Sequence, residues 1–492
     1  VADPPRLRAA AHALCALALA VPLWLAGITI ARAVAFASYP YALDREEGFV
    51  ALQGLALATG TTIYPDIAQG PPWLVGNYPP LHPALAAVAV KAGADPLAAG
   101  RGVALLGIVL LAGGLAWAGA QMGGRWAAVA APVLCLSTWD AMSWAPYARV
   151  DFLALGLGAV ALAAGLDRTR KGMAALCGVC VMAAFLAKQT ALAVPAALVI
   201  AGLLRPEDRR EALRFGAVLM AAGGAAVLAL VLLTGGEFWR HTVTYNRNAV
   251  EGAQILVWLR HLARFHGGVL AALGVAGVAA WRWRLLEATH ARVLACYVGL
   301  AAATLLATAK AGAAENYLLE FHAASSLAIA AVAAKALREM PAVAIAIAVP
   351  LLATLPGPFP AWRRPQMMTR ELWPDAAIEE AHAAAVLRLR AAKGPVLCED
   401  PVLAHRAGHP VAFQPFIMSQ LAREGRWDAA PLLHEIAISR YGLIATSQNL
   451  AEEGFLWGFT PEMREAVLAR YRLTGAVQLS PRERMFLYEP KP

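Results

Sequence analysis

Long apolar runs alternate along the chain with short polar interruptions. A helix needs about 20 mainly apolar residues to cross about 30 Å of hydrocarbon. Runs near that length fall at 6–36, 102–121, 126–145, 150–166, 172–187, 190–204, 212–234, 264–281, 291–309, 316–334 and 340–356. The two that meet at Lys188 are short. A further apolar stretch, 80–94, follows the turn Asn77-Tyr78-Pro79-Pro80 and reads as a half-inserted helix. Beyond about 357 the pattern changes. Short runs at 395–398, 441–445 and 485–488 predict strands, and 415–424 and 428–438 predict helices. The expected fold is therefore an all-α polytopic membrane protein of about eleven spans, residues 1–356, followed by a small α/β domain, residues 357–492.

Composition removes the alternatives. The chain of 492 residues is 59% hydrophobic and 15% charged, against about 25% charged in soluble domains. Its mean hydropathy is +0.55. A soluble exterior needs more polar cover than this, and a disordered chain needs far less apolar content. The net charge of +9 would suit nucleic acid on a soluble protein, but no nucleic-acid motif is present, and the basic residues cluster between apolar runs as cytoplasmic loops do. The first run opens with Arg6 and Arg8 and lacks a clear cleavage site, so it reads as a membrane helix rather than a signal peptide. With 80–94 half-inserted, the clusters 167–171, 205–214 and 281–284 all fall on the cytoplasmic side with the N-terminus. Residues 37–101 then form one large external loop, and the C-terminal domain is also external. The six cysteines form no disulfide framework, and Cys177 and Cys180 read as helix packing.

Sorting the remaining polar residues by side collects the candidate chemistry outside. The external loop opens with Asp44-Arg45-Glu46-Glu47-Gly48-Phe49. Asp44 and Glu47 are three apart and share a helix face, which suits a carboxylate pair acting as general base or metal ligand. A surface charge cluster is the plainer reading. Prolines stiffen the rest of the loop, where Asn77, Tyr78 and His82 offer hydrogen bonds beside the bilayer. Arg149-Val150-Asp151 starts a span, and ionisable groups there are costly enough to suggest function. Lys188-Gln189-Thr190 interrupts an apolar stretch and presents the only charge between Lys171 and Arg205, suited to a lipid phosphate. His241, Tyr245 and Asn246, and then Asn316 and Tyr317, face the same side.

The order of these segments resembles the GT-C superfamily of membrane glycosyltransferases, and most nearly the bacterial branch of protein O-mannosyltransferases and lipid A aminoarabinose transferases. The segments are Asp44 to Phe49, Asn77 to Pro83, Arg149-Val150-Asp151 and Lys188-Gln189-Thr190, and the resemblance covers roughly 10–335. It implies an enzyme of the cell (inner) membrane that moves a sugar from a polyprenyl-phosphate donor to an extracytoplasmic glycan, lipid or protein, usually with inversion. By position, Glu46 or Glu47 matches the loop acid that serves as base, and Asp151 the acid of the later span. The chain has Glu46-Glu47 with Asp44 upstream where the family has Asp-Glu; Glu47 is the expected base with Asp44 as helper. Arg149, Lys188 and Gln189 are expected at the donor phosphate. Asn77, Tyr78, His82, His241, Tyr245, Asn246, Asn316 and Tyr317 are expected to orient sugar or acceptor. Some relatives bind a divalent metal at the loop acids, so Asp44, Glu47 and Asp151 are candidate ligands for Mg, Mn or Zn. A transporter or lipid-linked-sugar flippase is the alternative, although no internal repeat supports it. A non-catalytic scaffold would have no use for acids and phosphate-type cations on one side.

Overall fold

The computed structural model describes residues 5–167, 170–354, 372–452, 454 and 456–492. The expected domain boundary at 356/357 lies outside the described residues, as do Arg168 and Thr169 of the 167–171 cluster. The helices in order are α1 (Pro5–Phe36), α2 (Arg45–Ala58), α3 (Leu81–Lys91), α4 (Pro96–Gly123), α5 (Arg125–Leu136), α6 (Trp139–Trp144), α7 (Asp151–Leu166), α8 (Met173–Ala187), α9 (Ala193–Leu203), α10 (Arg209–Leu233), α11 (Glu237–Trp239), α12 (Gly252–Trp283), α13 (Ala288–Thr304), α14 (Leu319–Glu339) and α15 (Pro341–Leu352). Among the described residues, six helical stretches are long and apolar enough to cross a membrane: 5–36, 96–123, 209–233, 252–283, 288–309 and 315–339. The other expected spans fall on shorter apolar helices, and 80–94 contains α3.

Two local features set the geometry of this bundle. First, α4 and α7 touch backbone to backbone. A Cβ at Gly107 would lie 2.3 Å from the Leu153 amide nitrogen, and one at Gly156 would lie 2.4 Å from the Gly107 carbonyl. Small residues allow such approach between membrane helices, and here they fix Asp151 against α4. Second, α8 has 15 residues and α9 has 11. At 1.5 Å per residue they rise about 22 and 16 Å, short of the ~30 Å of hydrocarbon. The chain between them, from Lys188 in extended conformation (φ −148°) to Leu192, lines a cavity. By contrast, α10 turns Leu213, Val218, Met220, Leu228, Leu232 and Leu233 outward, as a lipid-facing helix does.

The C-terminal part contains α16 (Ala376–Arg390), β1 (Val396–Cys398), α17 (Pro401–Arg406), α18 (Pro415–Arg423), α19 (Ala430–Ala437), β2 (Leu443–Thr446), α20 (Pro461–Arg470), β3 (Tyr471–Ser480) and β4 (Glu483–Pro490). Its sheet has the order β1-β2-β4-β3, with β1 and β2 parallel and the other pairs antiparallel. The expected strands and helices are all present. Strand β3 was not among the expected elements, although Tyr471, Leu473, Val477 and Leu479 alternate with Arg472, Thr474, Gln478 and Ser480 along it.

The sheet does not stand apart from the loop between α1 and α4. Trp73 is fully buried in one core with Phe413, Trp427 and Phe459. Its amide donates to the Ala412 carbonyl at 2.7 Å, and its carbonyl accepts from the Gln414 amide at 3.0 Å. Phe36, Tyr39 and Tyr41 enter a second core with Leu389, Val396 and Leu443. Gly48 lets α2 press on α17, since a Cβ there would lie 2.7 Å from Pro401 Cγ. Arg45 pairs with Glu483 at 3.1 Å and Glu399 at 3.7 Å and lies over the Trp457 ring.

Candidate active site

Helix α2 starts where Asp44 caps it, accepting from the Glu46 amide at 2.8 Å. Each further residue turns about 100°, so the adjacent glutamates face different surroundings. Glu47 points inward and is fully buried. Its Oε1 accepts from Arg101 Nε at 2.7 Å and from the Ala148 amide at 2.8 Å. Its Oε2 accepts from Arg101 Nη2 at 3.1 Å and from the Leu43 amide at 2.8 Å. The rest of the Arg101 guanidinium donates to the carbonyls of Phe36, Tyr39 and Tyr41. Both Glu47 oxygens are thus held by a cation and two amides, and this corrects the expectation that Glu47 is the base. It is a strut joining α1, α2, α4 and the segment before α7. Arg101, a lone charge at the head of an apolar run, was the available signal for that strut.

Glu46 and Asp44 instead line a cavity of about 560 Å³ between the loop and the C-terminal sheet, with Arg45, Asp400 and Arg482 on its other walls. Glu46 Oε2 accepts from Gln414 Nε2 at 3.0 Å, and Gln414 Oε1 accepts from the Val75 amide. Burial raises the Glu46 pKa above its ordinary value, Asp44 adds to this, and Arg149 opposes it.

A second cavity of about 430 Å³ runs between α7, α9 and α13. Its walls are mostly alanine and leucine, and its polar end holds Asp151, Lys188, Gln189, Asn316 and Tyr317. Asp151 is 1% exposed. Its Oδ1 accepts from Lys188 Nζ at 2.6 Å and Asn316 Nδ2 at 3.0 Å, and its Oδ2 from Trp144 Nε1 at 2.8 Å. With three donors on its two oxygens, Asp151 holds Lys188 and Asn316 in place. Lys188 also sits 5.5 Å from the centre of the Tyr317 ring.

Arg149 lies within electrostatic reach of Asp44, Glu46, Asp151 and Tyr78. It stacks on Trp144, forms no ion pair within 4.0 Å among the described residues, and its buried Nε has no hydrogen-bond partner. Three amide oxygens nearby are buried and unmatched as well: Asn77 Oδ1, Gln189 Oε1 and Asn316 Oδ1. The nitrogen ends of Gln189 and Asn316 are engaged, the latter with Asp151. Gln189 Nε2 donates to the carbonyls of Asn77 (2.9 Å) and Thr242 (3.2 Å), and Asn246 Nδ2 donates to the Asn77 carbonyl at 3.2 Å. Buried polar atoms without partners are rare in folded proteins, and a group of them calls for a ligand.

Lys310 was outside the expected site and joins it. Its Nζ donates to Asn246 Oδ1 at 2.5 Å. Burial, then repulsion by Lys188, lowers its pKa to about 8.

Other expected residues serve the scaffold. His241 is fully buried; its Nδ1 accepts from the Gly76 amide at 2.9 Å and its Nε2 is 2.7 Å from the Pro65 carbonyl. That is the neutral Nε2–H tautomer, consistent with burial lowering its pKa to about 4. Tyr245 packs edge-on against His241. His82 is fully buried under Gly100 and lines neither cavity. Tyr78 stays at the site through its phenol, while its carbonyl accepts from the Tyr64 hydroxyl at 2.8 Å. The expected metal set is also corrected. Among the described residues, Asp44, Glu47 and Asp151 do not converge within ligand distance; the set that does is Asp140, His266 and His322.

No protein-family profile and no curated protein matches the chain. Solved structures do. The chain is similar to ArnT from Cupriavidus metallidurans bound to undecaprenyl phosphate, at 14% identity and TM-score 0.58, over 96% of this chain and 97% of that one. The apo state of the same protein gives TM-score 0.60 at 14% identity, over 97% and 98%. The oligosaccharyltransferase of Archaeoglobus fulgidus gives TM-score 0.55 at 11% identity, over 87% of this chain and 69% of that one. Both proteins have the GT-C fold, and at these identities the fold is what is shared.

Proposed function

We propose that this chain of GT-C fold is an integral membrane glycosyltransferase. It would transfer a sugar from a polyprenyl-phosphate carrier to an acceptor on the external side. The observation that carries this reading is the Arg149 guanidinium, which has no ion-pair partner within 4.0 Å among the described residues and lies within electrostatic reach of both Asp151, which lines the apolar groove with Lys188, and Glu46, which lines the other cavity. The groove suits a prenyl chain, and the cations suit the phosphate that leaves with it. The three unmatched amide oxygens suit sugar hydroxyls. Glu46 is the base that removes the acceptor proton during attack on the anomeric carbon, and burial brings its pKa toward the range a base needs. ArnT has been solved with undecaprenyl phosphate, and AglB, the Archaeoglobus fulgidus oligosaccharyltransferase, with a dolichol-phosphate; extending such a carrier to this chain belongs to the proposal. The external acceptor side rests on charge distribution across the loops. Asp44 caps α2 and adds negative charge beside Glu46.

The direct test is binding of undecaprenyl phosphate to the protein in nanodiscs. Arg149→Ala should weaken it by about tenfold to a hundredfold, the range of a hydrogen bond to a charged group. Unchanged affinity would remove Arg149 from the phosphate site and leave this reading without its main support.

Lys310 predicts a pH dependence. The phosphate favours the charged amine, which is present below about 8 and lost above it. Affinity should therefore hold near neutral pH and fall by up to about tenfold per pH unit on the alkaline side. Lys310→Arg keeps its charge throughout, so its affinity should stay flat. Parallel alkaline curves for the two proteins would exclude Lys310 from the phosphate site.

A further inference from the structure

Away from both cavities, three helices bring four titratable side chains to one point inside the bundle. Asp140 stands on α6 and is fully buried. Its Oδ2 lies 2.5 Å from His322 Nε2 on α14 and 3.0 Å from His266 Nε2 on α12. Its Oδ1 lies 2.7 Å from His261 Nε2, one turn earlier on α12. His266 and His322 are each 1% exposed, and their ring centres are 4.3 Å apart. One ligand atom from each of Asp140, His266 and His322 falls within 4.8 Å of the others. None of the four residues lines either cavity.

Setting a carboxylate and three imidazoles into an apolar bundle is expensive unless something gathers them. Two imidazole nitrogens gathered on one carboxylate oxygen, all three atoms within 4.8 Å of one another, make up a donor set that first-row divalent cations take, zinc above all. Ligand atoms around tetrahedral zinc stand about 3.3 Å apart, from bond lengths near 2.05 Å. The carboxylate oxygen and the two imidazole nitrogens would need to part by less than about 1 Å. His261 holds the other carboxylate oxygen, the place where metal sites put an orienting partner.

We propose that Asp140, His266 and His322 bind a structural zinc ion, oriented by His261. The ion would tie α6 to α12 and α14. Both outer ties lead to the same residue: Trp144 at the far end of α6 and Asn316 just before α14 each donate to Asp151. The site would then act by position on the Asp151–Lys188 pair while taking no part in the reaction.

The test needs no sugar transfer, so its failure would leave the glycosyltransferase reading standing. The full chain in detergent is stripped with chelator, titrated with Zn²⁺ and Co²⁺, and assayed for bound metal by mass spectrometry. We expect uptake of about one equivalent, tetrahedral Co²⁺ bands in the visible, and a lower melting temperature after chelation. His322→Gln and His266→Gln should lose that uptake, and His261→Gln should weaken it by about 10–100-fold. If the variants do not fold, X-ray absorption of the zinc-loaded wild type decides, with two imidazoles in the shell supporting the site. No uptake by the stripped wild type, uptake unchanged in foldable His266 and His322 variants, or a shell without imidazole would overturn it.

Discussion

Glu47→Gln should cost the protein its fold rather than its chemistry. The Glu47–Arg101 pair is sealed from solvent, at 0% and 1% exposure. Between them the two side chains accept two amides and satisfy three carbonyls. Glutamine has one acceptor oxygen where the carboxylate has two. Its amide group would face the Arg101 guanidinium or the Leu43 or Ala148 amide, donor against donor. Arg101 would also keep a buried charge without its counterion. Breaking a buried pair from one side costs about 3–5 kcal/mol, against a total stability of about 5–15 kcal/mol. Thermal unfolding in detergent, followed with size-exclusion yield, should show a large fall in midpoint or no folded protein. Arg101→Lys should fail in the same way, because an ammonium cannot reach two carboxylate oxygens and three carbonyls together. A Glu47→Gln protein that melts like wild type would disprove the strut.

The neighbouring substitution should do the opposite. Glu46→Gln keeps the length of the side chain and an oxygen to accept from Gln414. It removes the charge and the proton-accepting oxygen from the cavity. Folding and undecaprenyl-phosphate affinity should hold, and transfer should fall by about 10²–10⁴-fold, the usual contribution of a positioned base. Asp44→Asn is the control on the same turn. Asparagine caps a helix about as well as aspartate, so that variant should fold normally and lose less activity than Glu46→Gln. Wild-type transfer by Glu46→Gln, measured with a radiolabelled polyprenyl-phosphate sugar, would remove the base from Glu46.

These two outcomes also mark what the sequence makes legible. Spans are legible because the bilayer imposes a length on each apolar run. Arg149, Asp151 and Lys188 are legible because charge is expensive in such runs. The division of labour between Glu46 and Glu47 is not. The two are chemically alike and adjacent, and what separates them is a 100° turn of α2 and a partner 54 positions away. Asp151 is legible by type and place, but the three donors on its two oxygens, Lys188, Asn316 and Trp144, are not. His241 stood among polar residues on the right side, yet both its nitrogens are used by loop backbone. The Asp140 cluster was invisible for another reason. Its members come from three helices, and the one short spacing among them, His261 to His266, carries little signal without its distant partners Asp140 and His322.

The burial of Trp73 against Phe413 and Trp427 has a consequence for heredity. A boundary drawn where the chain leaves its last span separates two stretches that share one interior. A change of volume on one side of that interior must be met on the other, hundreds of positions away. The first loop and the C-terminal sheet therefore share one packing constraint written in two places, while the exposed apolar side chains of α10 carry none of it.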